Sequence, residues 1–352
     1  MIDDATIEAF GRELDVIQRE VKASLGDRDR RYIRQLIKVQ RGLALGGRVL
    51  IYASLPLIPT PLFLGVIGTG TAALGIAKIL ENMEIGHNVL HGQWDWMNDP
   101  EIHSSTWEWD IVCPADQWKH SHNVVHHTWT NVLGRDRDVG YEILRVTDKQ
   151  PWHPVYLAQP LYNAALALMF QWGVAMHDVD PKQPRSALKN LRGIARKASK
   201  QLAKDYVLWP MLAGPLFAPV LLANLTANMM RNLWTYAIIF CGHFPEGAQV
   251  FTEEQITGET RARWYLRQAL GSCNITGGPL FHILSGNLGH QIEHHLFPDL
   301  PSNRYPEIAP RVEALCVRFG IPYNKGSLAR QLGSTLRTIT RLAFPTRRSL
   351  AA

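Results

Sequence analysis

Long stretches without charged residues alternate with polar segments along this chain of 352 residues. The uncharged stretches cover residues 49–77, 150–176, 206–230 and 232–245. An apolar helix needs roughly 20 residues to cross the hydrocarbon core of a bilayer. Because several stretches reach or approach that length, the pattern predicts an all-α integral membrane protein.

We predict about four transmembrane helices, with short uncharged connections on one side and basic segments on the other. Residues 12–41 carry nine Lys and Arg and residues 182–204 carry eight, whereas the connections near 56–61 and 223–227 carry none. Lys and Arg concentrate on the cytoplasmic side of membrane proteins, so both termini are expected there. The predicted spans lie near residues 43–58, 62–82, 206–224 and 227–243.

The apolar segment near 154–176 does not fit a further crossing, because one crossing would place the histidines before and after it on opposite faces. We therefore expect an interfacial segment, with a re-entrant segment or a pair of short helices as alternatives. The chain then divides into a cytoplasmic N-terminal helical segment at 1–42, a membrane domain at 43–305 and a cytoplasmic C-terminal segment at 306–352.

The charge and the cysteines narrow the environment of the protein. The formal net charge is +6, but the basic residues concentrate beside the apolar stretches. Anionic membrane lipids therefore account for the charge, and we expect no nucleic-acid partner. The four cysteines are widely separated, which argues against a disulfide scaffold or a zinc ribbon and fits a reducing cytoplasmic face.

Histidines occur in three groups with a repeated spacing. The first group is His87 and His91, and the second and third share the pattern H-x-x-x-H-H at 122–127 and 290–295. On a helix, residues i and i+4 lie on one face, while residue i+5 points about 100° away toward a neighbouring point. All three groups fall on the predicted cytoplasmic side. The spacing therefore predicts a cytoplasmic helical cap that holds two adjacent metal ions.

The number of histidines indicates what kind of metal chemistry to expect. Imidazole binds Fe, Zn, Cu and Ni, so the ligand type alone does not name the metal. A catalytic zinc has about three protein ligands, fewer than the clustered histidines of this chain. Two metals with several imidazoles each, and with positions open for oxygen, favour an oxidative site. A zinc-dependent membrane hydrolase and a His-rich metal transporter are the alternatives from other classes.

The histidine groups and their neighbours resemble those of the integral-membrane fatty acid desaturases. The shared motifs are H-x-x-x-H, H-x-x-x-H-H and Q-I-E-H-H, extended here as HHTWTN at 126–131 and QIEHHLFP at 291–298. The likeness spans about residues 80 to 305. It implies a non-haem di-iron site that uses O2 and two externally supplied electrons to introduce a cis double bond into a fatty acyl chain. A membrane di-iron hydroxylase or ketolase of alkanes, sterols or carotenoids, which inserts oxygen instead, is the alternative.

The resemblance also implies the metal ligands. Family members keep a further ligand at the cytoplasmic end of the fourth span, where His243 lies. No catalytic residue is expected beyond the ligands, and no site for an organic cofactor. The other ligands carried over onto this sequence are His87, His91, His122, His126, His127, His294 and His295.

The first position of the third group is ambiguous. Many family members place Gln or His three residues before the His pair, which corresponds to Gln291 here, while this chain also offers His290 one residue earlier. A regular helix separates the two side chains by about 100°, so one metal is not expected to bind both. We expect His290 to be the ligand, because imidazole binds iron better than an amide does.

The resemblance implies partners that the chain itself does not contain. The sequence has no nucleotide-binding glycine motif after a strand, no haem-attachment motif and no cysteine array for an iron–sulfur cluster. The electrons are therefore expected from a separate ferredoxin or flavin reductase chain. The acyl substrate is left open between an acyl-CoA and an acyl-lipid. Tryptophans around the first two histidine groups are expected partly at the membrane interface and partly along an acyl tunnel.

Overall fold

The computed structural model describes residues 2–346, and most of these residues are helical, in agreement with the all-α prediction. The α-helices are α1 (Asp4–Ala23), α2 (Asp27–Ser54), α3 (Pro61–Leu80), α4 (Asn88–Leu90), α5 (Ala115–Trp118), α6 (His127–Trp129), α7 (Gln159–Leu168), α8 (Phe170–Met176), α9 (Pro184–Leu202), α10 (Trp209–Met211), α11 (Phe217–His243), α12 (Arg261–Gly271), α13 (Pro279–Leu284), α14 (Gln291–Leu296), α15 (Tyr305–Arg318) and α16 (Leu328–Leu342).

Other elements connect or extend these helices. Two short strands, β1 (Asn274–Thr276) and β2 (Lys325–Ser327), pair in parallel. The π-helical segments are Glu81–His87, Lys119–His126 and Ala203–Leu208. The 3₁₀ turns are Leu55–Leu57, Asp95–Met97, Val139–Glu142, Pro154–Ala158, Gly214–Leu216, Glu254–Ile256, Leu288–His290 and Ser302–Arg304.

Helices α2 and α3 form a tightly packed hairpin. A Cβ atom added to Gly47 would lie 2.8 Å from the carbonyl oxygen of Gly70, and one added to Gly70 would lie 2.8 Å from the carbonyl oxygen of Gly47. Small residues at helix interfaces let two backbones approach closely. The hairpin therefore depends on glycine at these two positions.

Helix α11 is the central helix and packs on α3, α7, α8 and α16. It runs without a break through residues 223–227, where the charge pattern predicts a connection between two spans. The turn lies earlier instead, at 3₁₀ turn Gly214–Leu216, whose first residue has φ +55°. The predicted position of the turn is wrong because residues 206–230 carry no charge, so the charge pattern contains no information about where the turn lies.

Within residues 2–346, one continuous helix, Pro61–Leu90, is long and apolar enough to cross a membrane. It consists of α3, the first π-helical segment and α4.

The apolar segment at 154–176 forms two short helices, α7 and α8, separated at Met169. They contain 10 and 7 residues, well short of the roughly 20 residues that a crossing requires. A pair of short helices was one of the three arrangements compatible with the sequence. This arrangement leaves the second and third histidine groups free to lie on one side.

Helices from both ends of the chain build the cap around the third histidine group. Helix α1 packs on α12 and α15, and α14 packs between α12 and α15. The buried core of this cap joins Phe10 and Leu14 of α1 to Tyr265 of α12 and Ile292 of α14. The N-terminal segment therefore contributes directly to the shell of the candidate site.

The close approach of α2 and α3 gives a test of the hairpin. We expect Gly47→Ala to lower the free energy of unfolding by about 1–3 kcal/mol, because the new Cβ must push the two backbones apart. The measurement is the thermal unfolding midpoint of the purified protein in detergent.

Gly46 provides the matched control on the adjacent position. A Cβ atom at Gly46 meets nothing within 4 Å, so Gly46→Ala is expected to be neutral or to stabilise the helix by up to about 1 kcal/mol. Equal destabilisation by both substitutions would contradict the proposed role of the glycine contact.

Candidate functional site

Eight of the nine predicted ligands come together at one end of the helices. His87 and His91 extend the helix that begins with α3, and His243 is the last residue of α11. The second group lies on the π-helical segment Lys119–His126 and on α6, and the third lies on α14. The eight are His87, His91, His122, His126, His127, His243, His294 and His295.

A first group of four imidazoles could hold one metal ion. Side-chain nitrogens of His87, His91, His122 and His294 lie within 4.8 Å of one another. The His91 ring centroid lies 4.6 Å from that of His87, 5.1 Å from that of His122 and 4.7 Å from that of His294. Four neutral imidazoles around one point are a suitable ligand set for a transition metal.

A second group could hold another metal ion beside the first. Side-chain nitrogens of His126, His243 and His295 also lie within 4.8 Å of one another. His127 lies between the two groups, with its ring centroid 4.8 Å from His91 and 4.5 Å from His295. The two groups are therefore adjacent, as the H-x-x-x-H-H spacing predicts.

The inward nitrogens of this cluster are buried without hydrogen-bond partners. The Nε2 atoms of His87, His91, His122, His126 and His294 have none, and neither ring nitrogen of His127 has one. A buried polar atom without a partner costs about 1–3 kcal/mol. Metal ions bound between the two groups would satisfy these nitrogens, so the donor set fits the two irons that the family resemblance implies.

The outward nitrogens, by contrast, are held by polar partners. The Nδ1 of His87 lies 2.9 Å from the Asn88 Oδ1, and the Nδ1 of His295 lies 3.0 Å from the Gln268 Oε1. The Nδ1 of His294 lies 3.3 Å from the hydroxyl of Tyr305. Such contacts fix the tautomer and the ring orientation of metal-binding histidines.

His126 has the most strongly charged partner. Its Nδ1 donates to the Asp136 carboxylate at 3.0 Å, and that carboxylate also accepts the backbone N–H of Asn131 at 2.7 Å. Burial opposes protonation of the ring, but Asp136 and Asp138 outweigh it and raise the pKa of His126 to about 9. Burial lowers the pKa of His122 to about 4, so His122 is neutral, the form that binds metals.

His290 lies outside the cluster, contrary to the prediction. It ends the 3₁₀ turn Leu288–His290, and its backbone angles, φ −105° and ψ 55°, are not helical. The i, i+4 relation to His294 therefore does not place the two rings on one face. The His290 ring stacks instead on that of His282, with the centroids 4.2 Å apart.

Gln291 occupies the position beside the cluster. Its Nε2 lies 3.0 Å from the Nε2 of His243, and its Oε1 has no hydrogen-bond partner. A Cβ atom on Gly242 would lie 2.9 Å from the Gln291 Cδ, so the glycine before His243 makes room for the amide. The helical period alone could not distinguish His290 from Gln291, because the backbone changes from 3₁₀ to α between them.

The sequence reasoning missed several residues of the site. Gln268 and Tyr305 carry no motif that indicates contact with a histidine. His177 contacts Asp138, since its Nδ1 lies 2.8 Å from the Asp138 Oδ1. Its largely buried side chain lies beside the second group. Spacing could not predict this pairing, because 38 residues of irregular loops and short helices separate the two positions.

A largely apolar cavity opens beside the first group. His87, His122 and Asp138 line it next to the cluster, and Asn82, Arg231 and Thr235 add polar atoms. The cavity meets two of the tryptophans that flank the first two histidine groups, as expected for an acyl tunnel. Its principal apolar lining consists of Met83, Trp109, Ile111, Trp118, Phe170, Val174 and Ile239.

The His126–Asp136 pair predicts how much metal the protein retains. We expect Asp136→Asn to weaken metal binding about 10–100-fold, because the neutral amide no longer fixes the His126 ring as the carboxylate does. Iron per protein, measured after dialysis against a graded chelator, reports the change. Asp148→Asn is the control, since Asp148 is exposed on the same stretch of chain; equal iron retention in both variants would contradict the role of Asp136.

The third group can be tested in the same way. We expect His290→Ala to retain iron at the wild-type level, Gln291→Ala to lose part of it, and His294→Ala to lose most of it. The order follows from the placement of the Gln291 amide beside His243 and of the His290 ring on His282. A greater iron loss from His290→Ala than from Gln291→Ala would contradict this order.

Comparison with known proteins agrees with this arrangement of residues. The family model described as fatty acid desaturase matches residues 61–327. The chain is 49% identical over 355 residues to the NADPH-dependent stearoyl-CoA 9-desaturase of Mycobacterium tuberculosis, a match that covers 98% of this chain and 82% of that protein.

Two other relatives have names that specify different activities. The chain is 30% identical to the acyl-lipid (7-3)-desaturase of Rebecca salina, over 85% of this chain and 68% of that protein. It is 27% identical to the sn-1 linoleoyl-lipid 6-desaturase of Synechocystis sp., over 72% of this chain and 74% of that protein. From the family match, the near-complete alignment and the histidine motifs together, the chain belongs to the fatty acid desaturase family.

Proposed function

We propose that this protein is a membrane-bound, O2-dependent desaturase of fatty acyl chains with a di-iron centre. The observation that carries the proposal is the buried cluster of eight imidazoles with an apolar cavity beside it. Neither a metal transporter nor a zinc hydrolase needs two adjacent groups of imidazoles beside a largely apolar cavity.

We propose one iron at each of the two groups of nitrogens. One iron would be held by His87, His91, His122 and His294, and the other by His126, His243 and His295, with His127 between them. Bound there, the irons would use O2, two electrons and two protons to remove two hydrogens from adjacent carbons, which leaves a cis alkene and two molecules of water.

The chain's own contribution is to place the acyl chain and to keep water away. The rings of Trp118 and His122 stack with their centroids 4.4 Å apart, so the cavity wall continues directly into the first histidine group. The Trp109 Nε1 donates to the carbonyl oxygen of Cys113 at 2.7 Å, which holds the indole against the cavity. One methylene pair fixed next to the metals would define the position of the new double bond.

We propose that four helical segments span the membrane, with the histidine cluster on the cytoplasmic side. Two of them are α3 and α11, and the other two are supplied by the C-terminal half of α2 and by the continuous helical run from α9 to Met211. Each bears apolar side chains that are exposed on the protein surface, among them Leu45, Leu64, Val207 and Leu222. Lipid tails would cover such side chains, and the basic residues of α2 and α9 lie at the same end as the cluster.

Charged residues within these segments are paired inside the protein. Asp205 is fully buried and forms ion pairs with Arg48 at 3.5 Å and with Lys78 at 2.9 Å. Arg231 of α11 is buried as well and donates to the backbone oxygen of Asp110. Ionisable residues in transmembrane helices face the bundle interior and pair with one another, as these do.

The names of the relatives are compatible with two different carriers of the acyl chain. The name of the Mycobacterium protein specifies stearoyl-CoA and NADPH, whereas the names of the Synechocystis and Rebecca proteins specify acyl-lipids. We propose an acyl-CoA or acyl-lipid substrate and electrons from a separate ferredoxin or flavin reductase chain. The NADPH of the more similar relative's name supports a nicotinamide-linked reductase as the source of those electrons.

The reaction can be tested with purified protein in lipid nanodiscs. Iron-loaded protein, O2, a ferredoxin and its reductase are supplied with stearoyl-CoA or with stearoyl phospholipid. We expect a product whose mass is lower by two hydrogens, and no product after His126→Ala, because one metal group then lacks a ligand. Mass spectrometry of the released fatty acids measures the outcome.

His120→Ala is the matched control, since His120 lies on the same π-helical segment but is exposed and contacts Asp178. It is expected to leave the yield unchanged. A product heavier by one oxygen would indicate a hydroxylase instead. Desaturation by the iron-free protein would contradict the metal-based proposal altogether.

A further inference from the structure

A basic cleft meets the wall of the apolar cavity. Ile111 lines both spaces, so the cavity beside the histidines and the cleft adjoin at this side chain. The cleft lies between α9 and the loop around Glu108 to Pro114, and its volume is about 370 Å³. That volume falls within the range of sites that bind small molecules.

Four cationic side chains of α9 and the residues after it line this cleft: Arg196, Lys197, Lys200 and Lys204. Two of them are neutralised by the loop opposite, since Lys197 pairs with Glu108 and Lys204 pairs with Asp110. Arg196 and Lys200 are exposed, and within residues 2–346 neither side chain has a carboxylate partner. The cleft therefore retains two uncompensated positive charges.

We infer that this cleft binds the phosphate-bearing head of the acyl substrate, while the acyl chain passes Ile111 into the cavity. The inference rests on the proposed function, because only an acyl substrate links the two spaces. Both acyl carriers in consideration, coenzyme A and a glycerophospholipid, present phosphate esters. The guanidinium of Arg196 matches phosphate oxygens with two parallel hydrogen bonds, and Lys200 adds a mobile charge.

The arrangement of the cleft indicates a binding site for an anionic small molecule, as opposed to a set of surface charges that only contact solvent. The two paired lysines hold the loop wall in place, because Lys197 also donates to the carbonyl oxygen of Cys113 at 2.8 Å. Gln201 donates to the carbonyl oxygen of Asp110 at 2.9 Å. The walls are thus fixed by internal bonds, while the unpaired cations remain available for a ligand.

The test compares two double variants of the same helix with the same change in charge. Arg196→Ala with Lys200→Ala removes the unpaired cations of the cleft. Lys189→Ala with Arg192→Ala removes two exposed cations of α9 that do not line the cleft. Equilibrium binding is measured with two probes, coenzyme A without an acyl chain and 1-stearoyl-glycerol 3-phosphate, and KM is measured with stearoyl-CoA and with stearoyl phospholipid.

We expect the cleft variant to weaken binding of at least one probe by about tenfold or more, the effect of one lost charge-assisted hydrogen bond, and to raise the KM of the matching substrate. The control variant keeps the wild-type values. A loss confined to coenzyme A identifies the thioester as the source of the phosphate, a loss confined to the glycerophosphate probe identifies the lipid, and a loss of both supports a shared phosphate site.

Equal binding of both probes by the cleft and control variants overturns the inference, even if the protein desaturates both substrates. Failure of the proposed function has a different signature, namely no alkene from either substrate with the wild-type protein. Because the binding measurement does not require turnover, it decides the role of the cleft in that case as well.

Discussion

Eight imidazole rings packed together, seven of which have a buried ring nitrogen without a hydrogen-bond partner, are the constraint to which the rest of this structure is adapted. Each such nitrogen costs free energy unless something binds it, and the nitrogens within each group lie within 4.8 Å of one another, so one bound metal ion could satisfy several of them. The surrounding residues reinforce this arrangement, because Asn88, Asp136 and Gln268 engage the outward Nδ1 atoms. The protein thus keeps its metal-binding atoms in place by satisfying the opposite side of each ring.

The backbone brings the three groups together by departing from regular α-helix geometry. The first and second groups lie on or directly after π-helical segments, and the third begins where a 3₁₀ turn becomes α14. π-Helical turns are rare and frequently coincide with functional sites. They change the direction of successive side chains, so rings that an ideal helix would distribute differently converge on one point. The cap formed by α1, α12 and α15 then packs against α14 and holds the third group in place.

The sequence was sufficient for those parts of the site that depend on local spacing. The paired histidines follow from their spacing, and His243 at a helix end follows from the family resemblance. Contacts made only by the tertiary structure could not be predicted: Gln268 of α12 and Tyr305 of α15 contact the rings of α14 from separate helices. The choice between His290 and Gln291, and the position of the turn before α11, depend on local backbone geometry that neither periodicity nor charge specifies.

The loop between the first two histidine groups connects the buried charges to the cavity. Asp110 in this loop pairs with Lys78 of α3 and with Lys204, and its backbone oxygen accepts from Arg231 of α11. The next residue, Ile111, is fully buried and forms part of the cavity wall. Two ion pairs and one backbone hydrogen bond, from three helical segments, therefore converge on Asp110, the residue directly before a side chain that bounds the cavity. The internal ion pairs therefore do more than neutralise charge, because they also hold the backbone beside one wall of the cavity.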